Sequence, residues 1–130
     1  KPMLRLSRER DSLGIVADQS GAPTYAGHIA AALLHIAGRT QTENCPYGLY
    51  HFSGNPYTTW HGFAAEIFRR AAEQNLLPRL PTLNAIATAD YPTPARRPAN
   101  SRLNCSKIQA AFGIAPSDWQ AALGSLKNYV

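Results

Sequence analysis

The chain has 130 residues, 45% of them hydrophobic and 16% charged, and a formal net charge of +5. That length suits one domain with a buried core, and that composition excludes intrinsic disorder, which needs low hydrophobicity and high charge. No apolar run reaches the roughly 18 residues of a membrane-spanning helix, no secretory h-region opens the sequence, and two cysteines make no disulfide framework, so the expectation is a cytoplasmic protein with no membrane partner.

Residues 2–10 read as a helix, with Met3, Leu4 and Leu6 apolar and Arg5, Arg8, Glu9 and Arg10 polar. Residues 13–17 are a short apolar run containing Ile15 and Val16, expected as a buried strand. The loop Asp18-Gln19-Ser20-Gly21-Ala22-Pro23 follows, with Thr24 placed to cap a helix that carries Ala26, Ile29, Ala30, Leu33 and Ala37 and stops at Gly38. Residues 48–52 read as a second strand containing His51, and Ser53-Gly54-Asn55-Pro56 as a turn. Thr58 or Thr59 caps the clearest helix. Its apolar stripe runs through Trp60, Phe63, Ala64, Ile67, Phe68, Ala71 and Ala72, and its outer face pairs Glu66 with Arg70 and Arg69 with Glu73. Trp60, as the first member of that stripe, is expected in the core. Asn75 and Pro78 end the helix, and residues 83–87 read as a third strand. Residues 89–100 form a proline-stiffened loop around Arg96 and Arg97. Residues 106–112 read as a helix closed by Gly113, and Ser117 with Gln120 forms a capping box before a last helix. Strands alternating with helices define an α/β chain of short, mostly parallel strands and four to five helices.

The charge is localised. Residues 69–107 hold seven basic side chains against Glu73 and Asp90, which accounts for the whole net +5. Arginine outnumbers lysine ten to three, and arginine is the better two-pronged grip on phosphate. An anionic partner fits this asymmetry, as does a solvated basic face. Nucleic acid is not the expected partner, because aromatics do not interleave with the basic residues as a stacking platform requires.

Several chemistries are absent from the sequence. The glycines make no phosphate-cradling cluster, no tyrosine is followed four residues on by lysine, and no serine sits in a nucleophile elbow. His28 and His35 lie seven apart with no acid or thiol near in sequence to complete a metal site. No catalytic, cofactor-binding or metal-binding residue is therefore assigned.

Four motifs in order carry a resemblance. They are Met3-Leu4-Arg5-Leu6 with Glu9-Arg10-Asp11; Asp18-Gln19-x-Gly21-x-Pro23-Thr24; Tyr50-His51-Phe52 with Thr59-Trp60-x-x-Phe63-Ala64 and Ile67-Phe68; and Tyr91-Pro92-Thr93-Pro94-Ala95-Arg96-Arg97-Pro98-x-Asn100-Ser101-x-Leu103. Together they resemble the dTDP-4-dehydrorhamnose reductases, which are extended short-chain dehydrogenases, over essentially the whole chain. The resemblance implies reduction of dTDP-4-dehydro-L-rhamnose to dTDP-L-rhamnose with NADPH or NADH. It also implies that residues 1–130 are one C-terminal substrate-binding lobe, inactive alone. The Gly-rich turn and the Tyr-x-x-x-Lys pair would lie in a Rossmann half outside this chain, which would bind no cofactor itself. The start at Lys1 agrees with that placement. The implied partners are the dTDP-sugar and the Rossmann half, with self-association of the isolated lobe as a further expectation. Arg96 and Arg97, Arg97 foremost, would grip the pyrophosphate. Gln19 and Thr24 would hydrogen-bond sugar or phosphate, and Asn100 and Ser101 would contact the ligand or fix the loop. Two other readings stay open at this point: a non-catalytic relative resembling the regulatory subunit of methionine adenosyltransferase, and a basic module for nucleic acid.

Overall fold

A computed structural model describes residues 2–129. In chain order the elements are α1 (Pro2–Glu9), β1 (Ser12–Val16), β2 (Ser20–Gly21), α2 (Ala26–Arg39), β3 (Gly54–Asn55), β4 (Thr58–Thr59), α3 (Trp60–Glu73), β5 (Thr82–Ile86), α4 (Ser106–Phe112), β6 (Ser117–Asp118) and α5 (Trp119–Ala122). Tight 3-10 turns cover Thr88–Asp90 and Leu123–Tyr129. The α/β class is as expected, and the strands pair as three short two-stranded ribbons. β1 and β5 run parallel with Leu13 opposite Leu83 and Ile15 opposite Ala85. β3 and β6 are also parallel, whereas β2 and β4 are antiparallel.

The main core follows from α3. Its helical spacing brings Ala64, Ile67, Phe68 and Ala71 onto one face, where they meet Leu4 of α1, Leu13 of β1 and Leu126. Alanines at 64 and 71, fully buried, let the helix backbone approach the β1–β5 ribbon. Burying a side chain such as Phe68 contributes about 1.5–3 kcal/mol, and the five large apolar residues there, Leu4, Leu13, Ile67, Phe68 and Leu126, offset much of the cost of ordering these short elements. Thr59 caps α3, its side chain accepting from the Gly62 N–H at 3.1 Å. Asn75 closes the helix in the left-handed region at φ 55°. A second cluster forms under α4 from Cys105, Ile108 and Phe112 with half-buried Ile36, Tyr50 and Phe52. Gly113 ends α4 at φ 69°, a conformation in which a Cβ is strained. By contrast, α2 buries only Ala32 fully and leaves Leu33 62% and Leu34 75% exposed.

Five local expectations are corrected. Residues 48–52 are not a strand; side chains hold this stretch, with the Tyr50 hydroxyl donating to Pro46 O and Lys107 Nζ donating to Leu49 O. His51 is consequently exposed rather than packed in a strand. The ladder forms two residues later, at Gly54–Asn55, inside the segment read as a turn. Thr24 does not cap α2. Tyr25 occupies the cap position without a side-chain capping bond to the helix, and Thr24 Oγ1 instead accepts from Gly54 N–H at 3.0 Å. The helix also runs past Gly38 to Arg39. Ser117 does not cap the last helix: Asp118 does, accepting from Ala121 N–H, because Ser117 is buried and turned toward α2.

Candidate functional site

The segment after β1 is pinned from both ends. Asp18 accepts from the Thr88 N–H and hydroxyl, the latter at 2.6 Å, and these bonds lower its pKa, the hydroxyl's contribution being the larger. Gln19 Nε2 donates to the same Thr88 hydroxyl at 3.1 Å. Ser20 then bridges to the far side of the proline-rich loop: its N–H donates to Ala99 O, and its own carbonyl accepts from Ser101 N–H, both at 2.8 Å. Thus residues 80 positions apart in sequence share one rim.

Behind that rim lies a cavity of about 730 Å³. Gln19, Thr24, Arg97 and Ser101 line its polar side. Its apolar side is built by Trp60, Phe63 and Ile67 of α3, by Trp119, and by Met3 and Leu4 of α1. Trp119 is nearly buried and oriented at both ends: its Nε1–H donates to Pro56 O at 2.8 Å, and its ring meets Phe63 edge to face at 5.3 Å. Four of the six residues singled out in the sequence therefore converge on one cavity. Arg96 and Asn100 do not line it; Asn100 Oδ1 accepts from the N–H and Nε–H of Arg102. Trp60 corrects the core expectation, since it is 49% exposed and lines the cavity. Trp119 and Phe63 were not among the residues expected at a site. Their only signal in the sequence was aromaticity at a helix start, which core packing explains equally well.

Among the described residues Arg97 is the one cation lining the cavity, and it has no carboxylate partner there. No cluster of three metal-ligating side chains occurs among them either. Thr24 donates to Ala22 O and accepts from Gly54 N–H, and Ser101 donates to Ser20 O, so each hydroxyl retains acceptor capacity. A cavity with apolar walls, hydroxyl and amide groups along one rim and a single guanidinium suits a small amphipathic anion.

Solved structures place this architecture in a class. A dTDP-4-dehydrorhamnose reductase from Clostridium acetobutylicum matches with a TM-score of 0.82 and 26% identity, over 98% of this chain and 42% of that one. One from Bacillus anthracis, solved with NADP, shares the fold with a TM-score of 0.79 at 24% identity, over 99% of this chain and 42% of that one. The fold is thus one found within dTDP-4-dehydrorhamnose reductases. The family described as the RmlD substrate binding domain matches residues 1–129, and the chain belongs to it. The dTDP-4-dehydrorhamnose reductase of Aggregatibacter actinomycetemcomitans is 55% identical over 99% of this chain and 44% of its own length; that of Escherichia coli K12 is 41% identical over 98% and 43%. The chain therefore spans less than half the length of these relatives.

Proposed function

We propose that these 130 residues are the substrate lobe of a dTDP-4-dehydrorhamnose reductase, and that the cavity holds the dTDP-sugar for reduction to dTDP-L-rhamnose. The observation that carries this reading is the convergence of Gln19, Thr24, Arg97 and Ser101, from two remote segments, on one cavity. In this reading Arg97 pairs with the pyrophosphate, while Thr24 and Ser101 accept from sugar hydroxyls and Gln19 offers its amide oxygen and its second amide N–H. Arg96 and Asn100 position the loop that presents Arg97. The lobe's contribution to the reaction is orientation, and the proton and hydride come from elsewhere.

The residues present do not fit a nicotinamide dinucleotide. The turn after β1 would be the place for a phosphate cradle, but Ser20 N–H is already bonded to Ala99 O and the Asp18 carboxylate stands beside it. NADPH or NADH therefore belongs to a Rossmann half outside these residues, and the lobe alone has no reductase activity. The exposed Leu33 and Leu34 of α2 support a covering partner of that kind.

The test is Arg97→Ala in the complete reductase. A hydrogen bond to a charged group contributes about 1.5–3 kcal/mol, so KM for the dTDP-sugar should rise about 10- to 150-fold. Arg96→Ala should raise it far less. An unchanged KM in Arg97→Ala overturns the assignment of this cavity.

A further inference from the structure

We infer that Trp60 is the stacking platform for the pyrimidine base of the bound nucleotide; the inference rests on the dTDP-sugar reading of the cavity. Trp60 belongs by spacing to the apolar stripe of α3, whose members Ala64, Ile67, Phe68 and Ala71 are 0–8% exposed. One turn earlier on the same helix, Trp60 leaves half of its surface bare. A large indole left that open needs a reason, since the same position could have carried a polar residue.

Three observations supply the reason. First, among the described residues Trp60 has no ring partner, although Phe63 pairs with Trp119 and Tyr50 with Phe112. Second, it lines the cavity that also receives Arg97. A free aromatic face and a free guanidinium on one cavity match a base and a diphosphate on one ligand; a simple sugar phosphate would use only the cation. Third, the platform is held still. Trp60 is the first residue of α3, directly after the Thr59 cap, and Thr59 is itself paired with Ser20 across the β2–β4 ribbon. A rigid two-torsion aromatic loses little entropy on binding.

The experiment uses the complete reductase titrated calorimetrically with dTDP and with 2-deoxyribose 5-diphosphate, which carries the diphosphate but no base. Stacking on an aromatic side chain makes dTDP binding about 5- to 150-fold weaker in Trp60→Ala. Trp60→Phe should recover most of that loss, and Trp60→Leu, which keeps apolar bulk and fold without an aromatic face, should not. Binding of the base-free diphosphate should stay at the parent value in all three, while Arg97→Ala weakens both ligands. If Trp60→Leu folds and binds dTDP like the parent while Arg97→Ala weakens it, the platform is wrong and the cavity stands. Should Trp60→Ala weaken both ligands equally, Trp60 shapes the cavity without reading the base, and the inference is overturned. If none of the variants alters dTDP binding, the cavity reading falls with it.

Discussion

Gly54→Ala tests how the fold builds the site. A Cβ at position 54 would lie 1.8 Å from Pro23 O, 2.9 Å from Pro23 C and 3.2 Å from Trp119 Cδ1, where ordinary contact begins near 3.4 Å. The obstructing atom is backbone, so no rotamer change relieves it. The loop carrying Thr24 must retreat by more than an ångström, or β3 must leave β6. Overpacking of this kind costs about 1–3 kcal/mol. Displacement also breaks the Gly54 N–H to Thr24 bond, with a net contribution of about 1 kcal/mol. Together these destabilise by about 2–4 kcal/mol, a fall in melting temperature of roughly 5–15 °C.

The assay is differential scanning calorimetry of the complete protein, with dTDP titration alongside. Because Pro23, Thr24 and Trp119 all line the cavity, affinity should fall together with stability. Gly38→Ala is the control. Nothing lies within 4 Å of its Cβ position inside α2, so alanine should raise stability by up to about 1 kcal/mol without touching affinity. A Gly54→Ala protein that melts and binds like its parent would refute the reasoning.

Two further outcomes follow from polar contacts. The hydrogen bond from Arg69, and then that from Arg70, hold the Glu66 carboxyl down at about 2 against the opposing effect of burial. Its folded pKa lies below the unfolded value, so its stabilisation is complete above about pH 5 and is lost as pH falls toward 2; Glu66→Gln should flatten that part of the stability profile measured by urea unfolding. Ser117, buried, accepts from Tyr25 N–H at 3.1 Å and meets His28 Nδ1 at 2.9 Å, tying α2 to β6. Ser117→Ala should cost about 1–3 kcal/mol by the same measurement, and Ser117→Thr, which keeps the hydroxyl, should cost less.

Much of this fold was legible because period and capping act locally. The α3 stripe from Ala64 to Ala71, the Thr59 cap and the Gly113 stop all depend on residues within a turn or two of one another, and each forms as read. The misread caps share one cause: a long-range bond displaced a local preference. Thr24 is a competent cap by type, yet Gly54 N–H, 30 residues away, takes its oxygen. Ser117 is likewise claimed by Tyr25 and His28, 92 and 89 residues away. Residues 48–52 alternate like a strand but find no strand to pair with, and pairing passes to Gly54, whose missing side chain admits the Pro23 carbonyl. For the site, the motif residues lie in two loops remote in sequence, and it takes the Ser20–Ser101 bridge to show that those loops meet. Trp60 illustrates the limit of periodicity. Spacing says which face a residue lies on, not whether anything lies opposite that face.

The charge pattern can now be resolved residue by residue. Of the seven cations in residues 69–107, Arg69 and Arg70 are paired with Glu66, and Arg79 with Asp11. Lys107 donates to Leu49 O and lies 4.6 Å over the Tyr50 ring; Arg102 is bonded to Asn100 and lies 5.5 Å over Tyr57. These five cations fasten the fold. Three of the seven thus stand against carboxylates, and two more are held by neutral partners within the fold. Arg96 and Arg97 remain, on a loop stiffened by prolines, and only Arg97 reaches the cavity. A small ligand carrying one diphosphate matches one such cation plus the neighbouring hydroxyl and amide groups. Of the seven cations behind the asymmetry, Arg97 is thus the one that lines the cavity.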